Sequence, residues 1–180
     1  MKKKLLNGSL LLIIHSFFFL ILLSGCAHTW SPGQAPEIGL DTIDRFQGNL
    51  SVQLINNQPE TKPKLFAGIG GHTHYANYNE WTQFFIDTLS KELTKRGVRV
   101  SNNSTNKIKV KLSNFAFFQG FAKVRVNMTV LLESGDGKWS KQYEETDASG
   151  FSLGRAFGSI VYHTIEKILK EPEILDKMKE

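Results

Sequence analysis

AKVRVNMTVLLE, Ala122 to Glu133, decides the fold of this chain. Val124, Val126, Met128, Val130 and Leu132 fall on every second position, and mostly polar or charged residues fill the gaps. Successive side chains of a strand point to opposite faces, so this pattern presents one packed face and one wet face. A strand of that kind belongs in an antiparallel sheet covered on a single side.

The neighbouring segments extend the same sheet. Lys107 to Leu112 (KIKVKL) sets Ile108, Val110 and Leu112 against three lysines. Gly135-Asp136-Gly137 reads as a hairpin turn, because glycine tolerates the positive φ that tight turns demand. Lys138 to Thr146 then returns as a more polar strand carrying Trp139 and Tyr143. Upstream, Phe46 to Ile55 alternates around Leu50, Val52 and Leu54, and Val98 to Val100 is a short strand. Leu65 to Asn79 (LFAGIGGHTHYANYN) reads as a short strand at Leu65 to Ala67 followed by a loop.

Two segments carry helical periodicity instead. In Glu80 to Arg96, residues Trp81, Phe84, Phe85, Thr88, Leu89 and Leu93 recur at spacings of three and four. Asn79 is the expected N-cap and Gly97 the stop. Leu153 to Lys170 bears the stripe Leu153, Ala156, Phe157, Ile160, Val161, Thr164, Ile165, Ile168 and Leu169, capped by Ser152 and ended by Pro172. A short charged tail follows, with Glu173 and Lys177 spaced to pair. The order β, α, β, β, β, β, α predicts an α+β fold: an antiparallel sheet of about four strands with two helices packed on one face.

The N-terminus is of another kind. Lys2, Lys3 and Lys4 precede an apolar run from Leu5 to Leu23, the layout of a secretory signal. The run approaches the roughly 20 apolar residues that span a bilayer. However, it closes on small residues before a cysteine, and no basic stop-transfer cluster follows. Leu23-Ser24-Gly25-Cys26 resembles the lipobox of bacterial lipoproteins at every position. The resemblance implies a diacylglyceryl thioether on Cys26, cleavage before it, and acylation of the new amino terminus. Several acyl chains hold a protein stably where one holds marginally. In that family an Asp after the cysteine retains the protein in the inner membrane. Ala27 stands here, which implies the outer membrane, periplasmic face.

The chain therefore divides into a signal peptide (1–25), a lipidated N-terminus with a flexible tether (26–45), and a single periplasmic α+β domain (46–180). Ser31-Pro32-Gly33, Pro36 and Gly39 give the tether its extended character. The net charge of +5 includes the three signal lysines, so the mature protein carries +2, and no electrostatic case for nucleic acid remains. Cys26 is the only cysteine, so the mature chain has no internal disulfide.

Other features carry a wider resemblance. They are Trp81 and Phe84-Phe85 running to Leu93-Thr94-Lys95-Arg96-Gly97-Val98, the strand through Val124 to Leu132, Trp139 to Tyr143, and the last helix followed by Ile174-Leu175. With the lipobox, they resemble small outer-membrane lipoproteins of the YajG type and auxiliary lipoproteins of ABC transport systems. The resemblance implies no enzyme. It implies an accessory, binding or envelope-maintenance role.

Candidate sites are few. Gly68-Ile69-Gly70-Gly71 lacks both the strong preceding strand and the following Gly-Lys-Ser/Thr of a phosphate loop, and reads as a turn. His72 and His74, with Glu80 nearby, are the candidate metal ligands, since residues two apart share a strand face. Structural zinc usually takes four ligands, so surface histidines in a polar loop, with no metal and no cofactor, are the expectation. Ser, His and Asp are present but none sits in a nucleophile elbow.

Phe115, Phe117, Phe118 and Phe121 lie between two alternating strands, where a loop should be polar. Two readings stand. One continues the strand, or bulges it at Gln119-Gly120, and packs the rings under the helices. The other exposes an apolar patch that meets lipid, membrane or a partner protein, with Lys123 and Arg125 for acidic head groups. The expected function is a non-catalytic accessory or partner-binding module of the cell envelope, with the membrane, an envelope protein or lipid as partner. The alternative is an auxiliary lipoprotein of an ABC-type lipid or solute transport system, holding an apolar ligand between helices and sheet.

Overall fold

The computed structural model describes residues 26–150 and 152–179. Leu23, Ser24 and Gly25 of the lipobox, with the rest of the signal, lie outside the described residues. In order, the elements are β1 (Ala27–Trp30), β2 (Ser51–Asn56), β3 (Pro63–Ile69), β4 (His72–Asn77) and α1 (Tyr78–Lys95). There follow β5 (Arg99–Val100), β6 (Lys107–Gln119), β7 (Val124–Ser134), β8 (Ser140–Ser149), α2 (Leu153–Leu169) and α3 (Pro172–Asp176).

The fold is α+β, but the sheet is not the one expected. Five strands run in the order β5-β2-β6-β7-β8, and a second sheet of three runs β1-β4-β3. β6, β7 and β8 form the expected antiparallel meander. β2, however, lies parallel to both β5 and β6. Parallel neighbours need a long crossover, and α1 in the connection from β2 to β5 supplies it. Val124, Val126, Met128, Val130 and Leu132 are all buried on the face that receives the helices.

Leu65 to Asn79, expected as a short strand and a loop, is a hairpin. Ile69 pairs with His72 across Gly70 and Gly71, which have φ of 57° and 81°. A two-residue primed turn requires positive φ at both centres, and two glycines meet that without strain. A register shift between Leu65 and Ala67 breaks the alternation that would have revealed β3.

Residues 26–45, expected as a flexible tether, form a strap laid along the domain. β1 pairs in parallel with β4 from Ala27 opposite Thr73 to Trp30 opposite Ala76. Trp81 Nε1 donates to the Trp30 carbonyl at 3.0 Å. Farther along, the strap presses on α2 so closely that a Cβ at Gly158 would stand 2.5 Å from the Gln34 carbonyl oxygen. Ile38 is buried, and its N–H donates to Glu92 Oε1 at 3.1 Å. Arg96 Nη2 donates to the carbonyls of Ile38 (3.1 Å) and Gly39 (3.3 Å). Glu92 and Arg96 form a buried ion pair one helical turn apart, so the strap is held by a charge pair inside the core.

The helix ends follow local chemistry. α1 is capped by Asn77, not Asn79: the Asn77 side chain accepts from the N–H groups of Asn79 and Glu80. The Asn79 amide instead donates to the Gln58 carbonyl at 2.9 Å. Ser152 caps α2 as expected, accepting from Arg155 N–H. The C-terminal tail docks: Met178 is buried, and its carbonyl accepts Ser51 N–H at 2.8 Å. Glu173 accepts Trp139 Nε1 and pairs with Lys141, not with Lys177.

Candidate functional site

The four phenylalanines divide between the two readings, and a β-bulge decides how. β6 shifts register between Leu112 and Asn114, leaving Ser113 as an extra residue. The expected bulge at Gln119-Gly120 is therefore placed earlier in the strand. Before it, Ile108, Val110 and Leu112 face inward; after it, the phase reverses and Phe115 and Phe117 do. Phe115 is in ring contact with Trp81 and Phe157, each with centroids 4.6 Å away, and Phe117 packs on Phe66 at 5.6 Å. Phe118 falls on the opposite face and is 58% exposed, while Phe121, in the β6–β7 turn, is fully exposed.

Ring contacts fix where that turn lies. Tyr78, just past β4, touches Phe115 at 6.4 Å, and His74, near the start of β4, touches Phe117 at 4.7 Å. The last half of β6 therefore runs toward the Gly70-Gly71 turn, and the β6–β7 turn sits at the same end. Gly120 N–H donates to the Lys123 carbonyl and closes it. Cys26 belongs to this end too: its carbonyl accepts Thr73 N–H at 2.9 Å, and its side chain is exposed. A concavity of about 270 Å³ opens beside the turn, lined by Phe118, Gln119, Gly120, Lys123, Arg125 and Ala148.

The charge of this end is one-sided. Ser149 pairs with Val124, which brings the end of β8 and the first turn of α2 alongside. Residues 26–30, 68–74, 117–125 and 148–155 contribute Lys123, Arg125 and Arg155 and no carboxylate. Asp147, the nearest acid along β8, faces His163 at 4.0 Å.

His72 and His74, expected as surface residues of a polar loop, stand on β4 and meet His28 of β1. His28 pairs with His74 in the parallel register. The rings stack, His28 on His72 at 5.3 Å and on His74 at 5.2 Å. His28 Nε2 and His72 Nδ1 share a hydrogen bond of 3.1 Å, and Trp30 Nε1 donates to His74 Nδ1 at 2.9 Å. Burial pushes His74 below its ordinary value of 6.5, and the neighbouring His28 and His72 add to that. His28 Nε2 and His72 Nδ1 are thus taken up by each other, and His74 Nδ1 by the Trp30 indole. Among the described residues, no group of three His, Cys, Asp or Glu side chains is arranged to hold a metal ion.

From the sequence alone His28 and His163 have no evident reason to converge on His72 and His74. His163 stays apart, but His28 does converge, and with Trp30, which sequence reasoning missed, it joins this end to the anchor. The signal available was Trp30 itself, a large aromatic in a supposed linker, with Ile38 and Ile43 behind it.

The comparisons with known proteins bear on the class of the chain. A family model described as uncharacterized lipoprotein matches residues 69–179. No curated protein matches. Among solved structures, the crystal structure of an uncharacterized protein is similar at 9% identity and a TM-score of 0.38, covering 84% of this chain and 94% of that one. Among the described residues no helix is long and apolar enough to cross a membrane.

Proposed function

The chain belongs to the family of uncharacterized lipoproteins whose model it matches, and from that premise we propose that it is a non-catalytic accessory module of the cell envelope, of the YajG-like kind. It is held by lipid on Cys26 at the outer membrane, on the periplasmic face, and acts by binding through its anchored end. The observation that carries this reading is the exposed pair Phe118 and Phe121, rimmed by Lys123 and Arg125, at the end that holds Cys26. A phenylalanine left in water forgoes about 1.5–3 kcal/mol of burial, so one at the end of β6 and one in the turn after it mark a surface that is covered in use. The groups that chemistry could recruit have structural partners here. His74 accepts from Trp30, Ser51 and Ser104 bond one another, and Glu92 holds Arg96.

The transport alternative needs an apolar cavity between helices and sheet, and Phe115, Trp81 and Phe157 stand in mutual contact there. No observation favours it over the accessory reading. Density-gradient fractionation of cells producing the full chain tests the proposal. The protein is expected in the outer-membrane fraction, and Cys26→Ser is expected to leave it. Recovery of the full chain with the inner membrane, or a Cys26→Ser protein that stays in the outer-membrane fraction, would sink it.

A further inference from the structure

We propose that the end carrying Cys26 lies flat on an acidic phospholipid surface, with the β6–β7 turn inserted at the head groups as a second contact beside the covalent lipid. The proposal rests on the lipid-anchored reading above and adds what the anchored end touches.

Three observations converge on it. First, no slack separates the anchor from the domain. Thr73 N–H holds the Cys26 carbonyl at 2.9 Å and β1 is in register with β4 from the next residue, so the lipid emerges where the domain surface begins. A flexible linker of 20 residues would let the domain roam about 22–27 Å from the bilayer. The strap removes that freedom, and whatever adjoins Cys26 meets the membrane.

Second, what adjoins Cys26 is apolar at its tip and cationic behind. The contacts from Cys26 through Thr73 and His74 to Phe117 place Phe118 and Phe121 at that end. Aromatic rings with one polar edge of surroundings sit well at the depth of lipid head groups, and an exposed Phe with flanking Lys and Arg is a common interfacial pairing. Third, the charge is complementary. Lys123, Arg125 and Arg155 stand there with no carboxylate in the four contributing stretches, and each basic residue near an acidic leaflet adds about 1 kcal/mol of attraction. The surface also presents backbone turns at Gly70-Gly71 and Gly120, which let the chain approach head groups closely.

The chain offers a clean test, because Cys26 is its one cysteine and lipidation consumes it. Ala122→Cys, beside Phe121 and exposed, then carries the only free thiol, and Lys138→Cys does the same at the opposite end of β7. Each lipidated variant is labelled with an environment-sensitive fluorophore and reconstituted into vesicles, either of phosphatidylcholine alone or with phosphatidylglycerol added.

In the acidic vesicles the probe at 122 is expected to shift to the blue and to lose its quenching by aqueous iodide, while the probe at 138 keeps both. Lys123→Gln with Arg125→Gln is expected to restore quenching at 122, as is omission of phosphatidylglycerol. A probe at 122 as open to iodide as the probe at 138 overturns the docking and leaves the turn to a protein partner. Flotation of the same samples separates the two claims. Protein that floats with an open probe refutes the docking alone, whereas protein that does not float refutes the lipid-anchored reading beneath it.

Discussion

Glu92→Ala is expected to unfold the strap and cost about half the stability of the domain. Glu92 has two duties in the structure: it neutralises Arg96 and it accepts Ile38 N–H. Truncating one partner of a buried pair leaves an uncompensated charge, which costs about 3–5 kcal/mol. The orphaned Ile38 N–H adds a desolvation penalty of about 1–3 kcal/mol if it stays buried. The two costs are not additive, because the strap can lift and let water reach both groups, so a total near 4 kcal/mol is expected. Against the 5–15 kcal/mol typical of a domain, that is large.

Arg96 Nε is already buried without a hydrogen-bond partner, so the site has little reserve. Glu92→Met with Arg96→Met removes both charges and is expected to cost less than Glu92→Ala alone, the remainder being the Ile38 N–H left without Glu92 and the Ile38 and Gly39 carbonyls left without Arg96. Urea denaturation followed by tryptophan fluorescence measures all three, and limited proteolysis over residues 31–44 reports the strap directly. A Glu92→Ala loss below about 1 kcal/mol, or a double variant weaker than the single, would refute the argument that the pair holds the strap.

Two further outcomes are expected. The His74 imidazole is held below its ordinary 6.5, so with the strap undocked His74 takes up a proton at higher pH than it does with the strap in place. The stabilisation is thus complete above pH 6.5 and is lost as pH falls from there toward the lowered value of the docked state. Amide exchange at Thr73 and Tyr75, corrected for intrinsic rate, should quicken in that window and not above it. Equal protection on both sides would refute the coupling. Gly158→Ala should raise helix propensity by about 1 kcal/mol yet destabilise the full chain, because its Cβ meets the Gln34 carbonyl at 2.5 Å. Combined with Glu92→Ala, which frees the strap, the same change should turn neutral or stabilising; an unchanged sign in denaturation curves would argue against the contact.

The meander and both helices were legible because their cores are regular. Val124 to Leu132 keeps one phase throughout, and the stripe from Leu153 to Leu169 never breaks. What was hidden depends on irregularity or distance. The bulge at Ser113 reverses the phase of β6, so the alternation carried on from Ile108, Val110 and Leu112 would turn Phe118 inward and Phe115 and Phe117 outward, the reverse of what is found. β3 and β4 are poor in branched residues and interrupted by a shift. The parallel pairings of β2 and β1 depend on partners more than 40 residues away, and composition alone made a strap look like a tether. Cys26 was legible from four residues, whereas the end it shares with Phe121 needed the rings between them.

The docking of the C-terminus sets the timing of folding. Leu50 bridges Lys179, Ser51 donates to Met178, and Asn106 Nδ2 donates to the Lys179 carbonyl at 3.0 Å. β2, flanked on both sides by strands that come later in the chain, has no local partner with which to nucleate. Contacts of such wide separation are slow to form, since loop closure must precede any reward. A chain emerging N-terminus first can assemble the β6–β8 meander early and can then seat β2 against β5 and β6, whereas the bridge at Leu50 waits for Met178 and Lys179. The clasp is thereby a late step: loss of Met178 and Lys179 would leave every strand in place and take from Leu50, Ser51 and Asn106 the partners that hold them.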